Sequence, residues 1–355
     1  MKMFERKLTR QISVGKIKIG GGAPISIQSM TNTKTHDAEA TIEQIQRLAS
    51  EGCDIVRVAV PDFNAAKTLG KIISAVDVPI IADIHFDYKL ALESIAQGVS
   101  ALRFNPGNIG GAAHVREVVK SARNSKIPIR IGVNAGSLSI KLLQKYGGAT
   151  AEALVESALE HVKILEAENF FDIKISLKAH DVPLTLAAYR LMSAKKNYPL
   201  HIGITEAGTI NSGVIKSAVG IGALLAEGIG DTIRVSLTGD PLVEVKVAKA
   251  ILKSLGLRDG GVTLIACPTC GRTKIDLPAI AAQVEQKISF INKNLTVAVM
   301  GCVVNGPGEA RTADVGIAGA DGEGIIFRKG QIIRKVPEYE LVAELFAEID
   351  KISAE

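Results

Sequence analysis

Short β-branched runs alternate with helical patterns through most of the first 250 residues of this 355-residue chain. Eight strand candidates lie at 25–30, 55–60, 79–84, 101–104, 128–133, 172–177, 200–204 and 232–237. Helical periodicity lies between them, as at 39–50, 65–75, 88–96 and 151–166. Eight such strand–helix units predict a parallel sheet closed into a (β/α)8 TIM barrel. An open doubly wound sheet is the alternative, but no Gly-x-Gly-x-x-Gly motif follows the first strand.

The pattern changes after a glycine-containing linker at 255–261, and a smaller α+β unit follows. Its predicted strands are 262–266, 295–300, 315–318 and a hairpin of 325–327 with 331–336, and its predicted helices are 277–291 and 338–352. The chain is too long for one typical core. We therefore predict a substrate-binding barrel over 1–255 and a second domain over 262–355.

Composition excludes several classes of protein. The net charge is only +5, and there is no Trp and no long run of Lys or Arg, so nucleic acid is not an expected partner. The longest apolar stretch, at 218–226, is too short to span a membrane, and the amino terminus lacks the apolar core of a signal peptide. With few cysteines, we expect a cytoplasmic protein whose thiols stay reduced.

Three of the four cysteines lie in the last quarter of the chain. Cys267 and Cys270 form a Cys-x-x-Cys motif, and Cys302 follows about thirty residues later, each after a predicted strand. Glu309 is the nearest spare ligand, so an iron–sulfur cluster with one exchangeable iron is one interpretation. Zinc held by three thiolates and one further ligand is the other, and spacing alone leaves it open. Cys53 precedes an apolar strand and is predicted to be a core residue.

Single basic residues interrupt the otherwise apolar barrel strands. They are Arg57, Arg103, Arg130, Lys174, Lys178 and Arg234. A buried unpaired cation costs several kcal/mol, so each needs a partner. Internal ion pairs are one explanation, with Asp54, Asp83, Asp172 and Asp231 nearby in sequence. Because cations on several strands converge on one axis, we expect instead a small polyanion in the barrel mouth.

Polar residues follow the strands where barrel enzymes carry their chemistry. Asn134 and Ser236 lie at two of these strand ends. Glu206 is the best candidate for proton transfer, although a capping or ion-paired glutamate is the alternative. His85 is either a proton donor or a structural hydrogen-bonding partner of Asp83. The other histidines show no metal-ligand spacing.

Several motifs resemble those of the 4-hydroxy-3-methylbut-2-en-1-yl diphosphate synthase family, in its short bacterial form. The motifs are the sequences at 267–273 and 300–310, together with those at 29–33, 83–86, 103–108 and 205–208. The resemblance extends over essentially the whole chain. It implies a TIM barrel followed by an α+β iron–sulfur domain, in an enzyme of the methylerythritol phosphate route to isoprenoids.

The resemblance also implies a [4Fe-4S] cluster on Cys267, Cys270 and Cys302, with Glu309 as the replaceable fourth ligand. The substrate would be 2-C-methyl-D-erythritol 2,4-cyclodiphosphate, opened and dehydroxylated with two electrons. The implied roles are diphosphate binding by Arg57, Arg103, Arg130 and Lys178, hydrogen bonding by Asn134 and Ser236, and proton handling by Glu206. The roles of Arg234 and Lys174 are less defined.

The family further implies a homodimer in which the cluster domain of one chain caps the barrel of the other. Electrons would come from reduced flavodoxin or ferredoxin, and both are acidic carriers as a rule. A docking face on the hairpin, with Arg328, Lys329, Arg334 and Lys335, is one hypothesis, and a merely solvated hairpin is the alternative. Two rival functions are a zinc-stabilised barrel enzyme without redox chemistry and a non-catalytic cluster carrier.

Overall fold

The computed structural model describes residues 5–304 and 310–354. The chain divides into two compact units, Met1–Arg258 and Asp259–Glu355, and this division falls inside the predicted linker at 255–261. No helix in the described ranges is long and apolar enough to cross a membrane.

The first unit begins with a two-stranded antiparallel hairpin of β1 (Ile12–Val14) and β2 (Ile17–Ile19). Eight parallel strands follow: β3 (Ser26–Met30), β4 (Ile55–Ala59), β5 (Ile80–Asp83), β6 (Ala101–Arg103), β7 (Ile129–Asn134), β8 (Ile173–Lys178), β9 (His201–Ile202) and β10 (Thr232–Ile233). Their order is β8-β7-β6-β5-β4-β3-β10-β9, and a parallel bridge from Ile175 to Leu200 joins the two ends. The predicted TIM barrel is thus confirmed, and the open doubly wound sheet is wrong.

Each strand is followed by at least one helix on the outside of the barrel. The helices are α1 (Ala38–Ser50), α2 (Phe63–Ser74), α3 (Tyr88–Ala96), α4 (Ala112–Asn124), α5 (Ile140–Tyr146), α6 (Ala151–Ala167), α7 (Val182–Lys195), α8 (Ile210–Ala226) and α9 (Pro241–Ser254). Aspartates cap several of them. The carboxylate of Asp62, for example, accepts a hydrogen bond from the backbone N–H of Ala65 at the start of α2. These caps set the residue at which each helix begins, and so determine the length of the loop between the carboxyl end of each strand and its helix.

The amino-terminal hairpin closes one end of the barrel. Its apolar side chains are buried with residues at the beginnings of β4, β5 and β6, which places it at the amino ends of the strands. The cluster consists of Ile12, Val14, Ile19, Ile55, Ile81 and Ala101. This hairpin was not predicted, because three-residue strands give too short a sequence pattern to detect. Only the carboxyl ends of the strands are therefore left for a site.

In its described residues, the second unit is a five-stranded mixed sheet with two α-helices. In chain order its elements are β11 (Val262–Ala266), α10 (Leu277–Ile288), β12 (Leu295–Met300), β13 (Val315–Gly319), β14 (Glu323–Arg328), β15 (Gln331–Pro337) and α11 (Leu341–Ala354). The strand order follows the sequence, with β11, β12 and β13 parallel and β14 and β15 antiparallel to their neighbours. The predicted α+β unit is confirmed. The last helix begins at Leu341 rather than at 338, because Glu338–Glu340 form a single 3-10 turn.

Candidate active site

The six basic residues of the barrel strands face the inside of the barrel. Their neighbours along the strands, such as Val56 and Val58 beside Arg57, belong to the apolar core beneath the helices. Because side chains alternate along a strand, the basic residues between them point to the barrel axis. Arg130, Lys174 and Lys178 are buried, with at most 6% of their surface exposed. The predicted convergence of cations on one axis is therefore what the strand alternation produces.

Strand register places several of these side chains next to one another. Asp83 on β5 lies beside Arg103 on β6, Arg103 beside Arg130 on β7, and Arg130 beside Lys174 on β8. Four neighbouring strands thus contribute one carboxylate and three cations to a single layer of the barrel. A layer with this excess of positive charge is unstable without counter-charge.

Only part of the positive charge is paired within the protein. Asp83 accepts a hydrogen bond from Arg103 Nη1 at 3.0 Å, and its other oxygen lies 3.6 Å from Arg57 Nε. Glu244 on α9 lies 3.7 Å from Arg234 Nε. Among the described residues these two carboxylates are the ones in ion pairs with the six cations. The internal ion pairs are therefore real but account for three cations.

The expected partners of the cations were partly wrong. Asp54 binds Arg258 at 2.8 Å, and Asp231 binds Arg6 at 3.3 Å, so both serve residues outside the strand set. Glu244 was missed because it lies in helix α9, ten positions after Arg234, and not in a strand or at a strand end. Its carboxylate also accepts hydrogen bonds from Ser29 Oγ and the backbone N–H of Leu237. No local sequence signal marks such a contact.

The remaining cations lie in surroundings that disfavour a positive charge. Burial, reinforced by Arg57 and Arg103, holds the pKa of Arg130 well below its usual range. Burial, with Arg130 next in importance, does the same to the pKa of Lys178, whose Nζ lies 3.3 Å from Nε2 of His201. For Asp83, burial alone would raise the pKa, but the guanidinium groups of Arg57 and Arg103 outweigh it and the pKa is lowered. An anion entering here would relieve the repulsion among the cations.

A cavity of about 240 Å³ lies at the carboxyl ends of the strands. All six residues predicted to bind substrate line it: Arg57, Arg103, Arg130, Asn134, Lys178 and Ser236. Five further residues complete the lining, namely Asp83, His85, Ser176, Thr205 and Arg234. The structure therefore brings the predicted set together, and adds Ser176 and Thr205, which the sequence analysis did not single out.

Two glycines allow the strands to hold these cations so close. A Cβ on Gly132 would lie 3.0 Å from Arg103 Nε. A Cβ on Gly203 would lie 2.9 Å from Lys178 Nζ and 2.3 Å from the backbone oxygen of Arg234. Any larger residue at Gly203 would have to displace a neighbouring strand.

Glu206 and His85 lie at the edge of this arrangement. Glu206 is exposed, with a φ of 51°, and it is its neighbour Thr205 that lines the cavity. A non-glycine residue in this left-handed region is uncommon, but three others among the described residues share it, so the φ by itself indicates no role. His85 is 60% exposed and lies within 3.8 Å of Asp83 and 3.4 Å of Arg103. The role of Glu206 in proton transfer stays a prediction.

In the second unit, the cysteines follow two adjacent parallel strands. Cys267 comes directly after β11, and its backbone N–H extends the ladder to the carbonyl of Val299 on β12. Cys302 lies two residues beyond β12. Cys270 is exposed in the intervening loop, and a backbone hydrogen bond from Arg272 lowers the pKa of its thiol. All three thiols are free, and all lie at the same end of the sheet.

The ligand type in these loops fits an iron–sulfur cluster, whereas the arrangement of the described side chains is not that of a metal site. Three free thiols on loops at one sheet end are the ligand type that such clusters use. Within the described ranges, however, no three His, Cys, Asp or Glu side chains are gathered as ligands of one metal ion. Glu309, the predicted fourth ligand, lies outside the described residues. Cys53 is buried in the barrel core, as predicted, and burial raises the pKa of its thiol to about 12.

The basic hairpin lies at the wrong end of the second unit for the docking hypothesis. Because β14 runs antiparallel to β13, its turn at Lys329 lies at the end of the sheet opposite the cysteines. A six-residue strand spans about 20 Å. Arg334 binds Glu344 and Glu348, and Lys335 binds Glu323. The hairpin is therefore not the surface nearest the thiols, and Arg334 and Lys335 are already paired.

A closed parallel barrel with a cationic cavity at the strand ends defines a TIM-barrel protein suited to an anionic small molecule, and the unit that follows bears three free thiols at one end of its sheet. Residues 9–249 match the sequence model of the GcpE TIM-barrel domain, and residues 263–351 match that of the GcpE protein C-terminal domain. The chain belongs to the GcpE family.

Close relatives cover nearly the whole chain. It is 62% identical over 347 residues to a protein of Geobacter sulfurreducens named 4-hydroxy-3-methylbut-2-en-1-yl diphosphate synthase (flavodoxin), covering 98% of each chain. A protein of the same name from Caldanaerobacter subterraneus is 60% identical, covering 99% of each. Among solved structures, Yersinia pestis dihydropteroate synthase is similar with a TM-score of 0.48 and 11% identity, over 69% of this chain and 98% of that one. So distant a likeness carries no conclusion.

Proposed function

We propose that the chain is a 4-hydroxy-3-methylbut-2-en-1-yl diphosphate synthase, which reductively opens and dehydroxylates 2-C-methyl-D-erythritol 2,4-cyclodiphosphate. The proposal rests on the cavity at the strand ends. Five barrel strands contribute cations to its lining, and these cations outnumber the two carboxylates that pair with them. Relatives that match the chain over 98% or more of its length carry this enzyme name. A zinc-stabilised barrel enzyme without redox chemistry is not favoured by these names.

The diphosphate would be held by Arg57, Arg103, Arg130 and Lys178. Guanidinium groups bind phosphate oxygens through paired N–H donors, and burial strengthens those bonds. Asp83 fixes Arg103 by the 3.0 Å hydrogen bond, Nη2 of Arg103 donates to the carbonyl of Gly132 at 3.3 Å, and its Nε has no partner among the described residues. Asn134 and Ser236, both on the cavity wall, would donate hydrogen bonds to the same oxygens.

The reaction breaks the bond between the tertiary carbon and its phosphate oxygen and releases a hydroxyl as water. We assign the proton for that hydroxyl to Glu206, in the loop after β9. A [4Fe-4S] cluster, held by Cys267, Cys270, Cys302 and Glu309, would pass on the two electrons of the reduced donor, one at a time, and supply a Lewis-acidic iron when bound. The cations of the cavity would hold the freed phosphate and so favour ring opening.

Two partners follow from this proposal. The relatives' names support a flavodoxin as the electron donor in preference to a ferredoxin. A homodimer in which one chain's cysteine-bearing unit caps the other chain's barrel remains our prediction. Mixing Cys302→Ser chains with Lys178→Met chains tests it, because only a heterodimer then contains one complete site. Activity that fails to recover in such heterodimers would count against capping between chains.

The decisive measurement uses protein purified without oxygen. We expect about four irons and four sulfides per chain, and a visible and spin-resonance spectrum that changes when the cyclodiphosphate is added. Cys267→Ser should lose the iron, and Cys53→Ser is the matched control that should keep it because Cys53 is a barrel-core residue. Zinc in place of iron would overturn the redox function and leave a phosphate-binding barrel.

A further inference from the structure

Lys174 is a buried lysine that the proposed function does not use. It lies on the inner face of β8, one full side-chain repeat below Ser176 and two below Lys178, and only 1% of its surface is exposed. Its Nζ has no hydrogen-bond partner among the described residues. Buried polar groups are hydrogen-bonded with few exceptions, so an orphaned amine in the barrel needs an explanation.

The groups that face Lys174 are nearly all cations or neutral. Arg130 lies beside it in register on β7, and the charge of Arg57 on β4 also repels an ammonium at Lys174. His201 on β9 and Lys178, further along β8, are two more titratable side chains in this part of the barrel. None of them can neutralise a lysine ammonium.

A single carboxylate, Asp231, lies close enough to favour the charged form of Lys174. That carboxylate is already committed. It accepts hydrogen bonds from Thr9 Oγ1 at 3.0 Å, from the backbone N–H of Leu200 at 2.9 Å and from Arg6 at 3.3 Å. Asp231 therefore binds groups at the amino ends of the strands, and Lys174 has no ion-pair partner among the described residues.

An unpaired ammonium in such surroundings loses its proton more readily than one in water. Burial, followed by repulsion from Arg130 and Arg57, lowers the pKa of Lys174 to about 7. A polyanion in the cavity above would act in the opposite direction, because it offsets the charge of Arg130 and Arg57.

We propose that Lys174 is a neutral amine when the cavity holds no anion, and that it takes up one proton from solvent when a diphosphate binds. The proton joins the lone pair of Nζ, and the resulting ammonium supports the bound anion from below. The proposal rests on the proposed function only in taking the cavity to be a diphosphate site. Lys174 is then a positioning residue that acts through Arg130, not one that contacts the substrate.

Protonation of Lys174 and binding of the diphosphate are thermodynamically linked, so each can be measured through its effect on the other. If the diphosphate raises the proton affinity of Lys174, the proton raises the affinity for diphosphate by the same factor. Binding should therefore weaken by up to about tenfold for each pH unit above about 7, until the pKa of the bound state is passed. The cyclodiphosphate is a clean probe, because each of its phosphorus atoms carries one strongly acidic oxygen and does not titrate near neutral pH.

The experiment is calorimetric titration of the cluster-loaded protein with the cyclodiphosphate, without reductant and without oxygen. Runs at pH 8 in HEPES and in Tris, which both buffer at this pH and differ in ionisation enthalpy, give the number of protons exchanged. We expect an uptake of about one proton for the natural chain. Lys174→Met replaces the lysine with an uncharged side chain of similar length. This variant should take up about one proton fewer than the natural chain.

Affinity at two pH values separates this role from a structural one. Lys174→Met should bind the cyclodiphosphate at least tenfold more weakly than the natural chain at pH 6.5, and the difference should narrow to about twofold at pH 9. Lys120→Met removes an exposed lysine on α4 and should match the natural chain at both pH values. A merely structural lysine would give a loss that does not change with pH.

The outcomes distinguish the inference from the function on which it rests. No binding heat for the natural chain would overturn the proposed function itself. Tight binding with a heat that is the same in every buffer would leave the function standing and overturn the role of Lys174. Equal proton uptake by the natural chain and Lys174→Met would assign the proton to Lys178 or His201 and would likewise overturn it.

Discussion

Asp83 accepts a hydrogen bond from Arg103 at 3.0 Å while lying beside it in register on the neighbouring strand. The same carboxylate reaches Arg57 on its other side, at 3.6 Å. One aspartate thus holds two guanidinium groups in place at the wall of the cavity. Charge pairs inside a barrel are stable only when both partners are present.

Asp83→Asn should leave both guanidinium groups buried without a counter-charge. We expect the free energy of unfolding to fall by about 3–5 kcal/mol, the cost of breaking a buried ion pair from one side. Denaturant unfolding measures it. Glu39→Gln is the control, since its pair with Lys71 is exposed and should contribute under about 1 kcal/mol. Equal losses for the two variants would contradict the shared-carboxylate arrangement.

The same pair predicts how stability depends on acid. Because the pKa of Asp83 is lower in the folded protein than its usual value of 3.8, the ion pair stabilises the fold above that pH. This contribution should be lost as the pH falls through the lowered folded-state pKa. Asp83→Asn should lack this part of the acid profile, and a natural chain with an identical profile would contradict it.

Arg130→Met should have opposite effects on stability and binding. Arg130 is 3% exposed and has no ion pair among the described residues, so an apolar side chain of similar length should raise the free energy of unfolding of the ligand-free protein by about 1–4 kcal/mol. Affinity for the cyclodiphosphate should fall by about 2–5 kcal/mol. Thermal unfolding and calorimetric titration measure the two effects.

Arg116→Met is the matched control for Arg130, because Arg116 lies on the exposed face of α4 and its contact with Glu168 is 3.9 Å long. It should change neither quantity by more than about 0.5 kcal/mol. A destabilised Arg130→Met protein would show that Arg130 serves the fold rather than a ligand.

Gly203→Ala tests the close approach of strands beneath the cavity. The new Cβ would lie 2.3 Å from the backbone oxygen of Arg234, so β10 would have to move, at about 1–3 kcal/mol. The same substitution at Gly222, inside α8 with open space around it, should stabilise by about 0.5–1 kcal/mol. Opposite signs in denaturant unfolding are expected, and a neutral Gly203→Ala would contradict the packing.

Ile19→Ala tests the amino-terminal hairpin as the closure of the barrel. Ile19 is fully buried in the cluster at the amino ends of the strands, and its truncation should cost about 2–5 kcal/mol. Ile140→Ala, at a side chain that is 75% exposed, should cost under about 0.5 kcal/mol. A loss below 1 kcal/mol for Ile19→Ala would mean that the hairpin does not contribute to the barrel core.

Much of the fold could be read from local pattern. The eight barrel strands were predicted because buried parallel strands are apolar over nearly their whole length, and β8 was placed to within one residue. An arginine or lysine inside such a strand, as at Arg103 or Lys178, also indicates a polar cavity, because a charged side chain is too costly to bury in an apolar core. The cysteine motif depends only on spacing along the chain, so it too was visible in the sequence.

Other features depend on contacts between residues far apart in the chain. Glu244 meets Ser29 across 215 positions, the hairpin of β1 and β2 is too short to carry a pattern, and the ends of the second unit's sheet are set by strand direction. The sequence by itself determined which side chains face the barrel axis, because alternation along a strand is local. Only the tertiary structure decided that Asp83 is shared by two arginines and that Lys174 has no hydrogen-bond partner in the described part of the chain, because register between strands sets which charges meet.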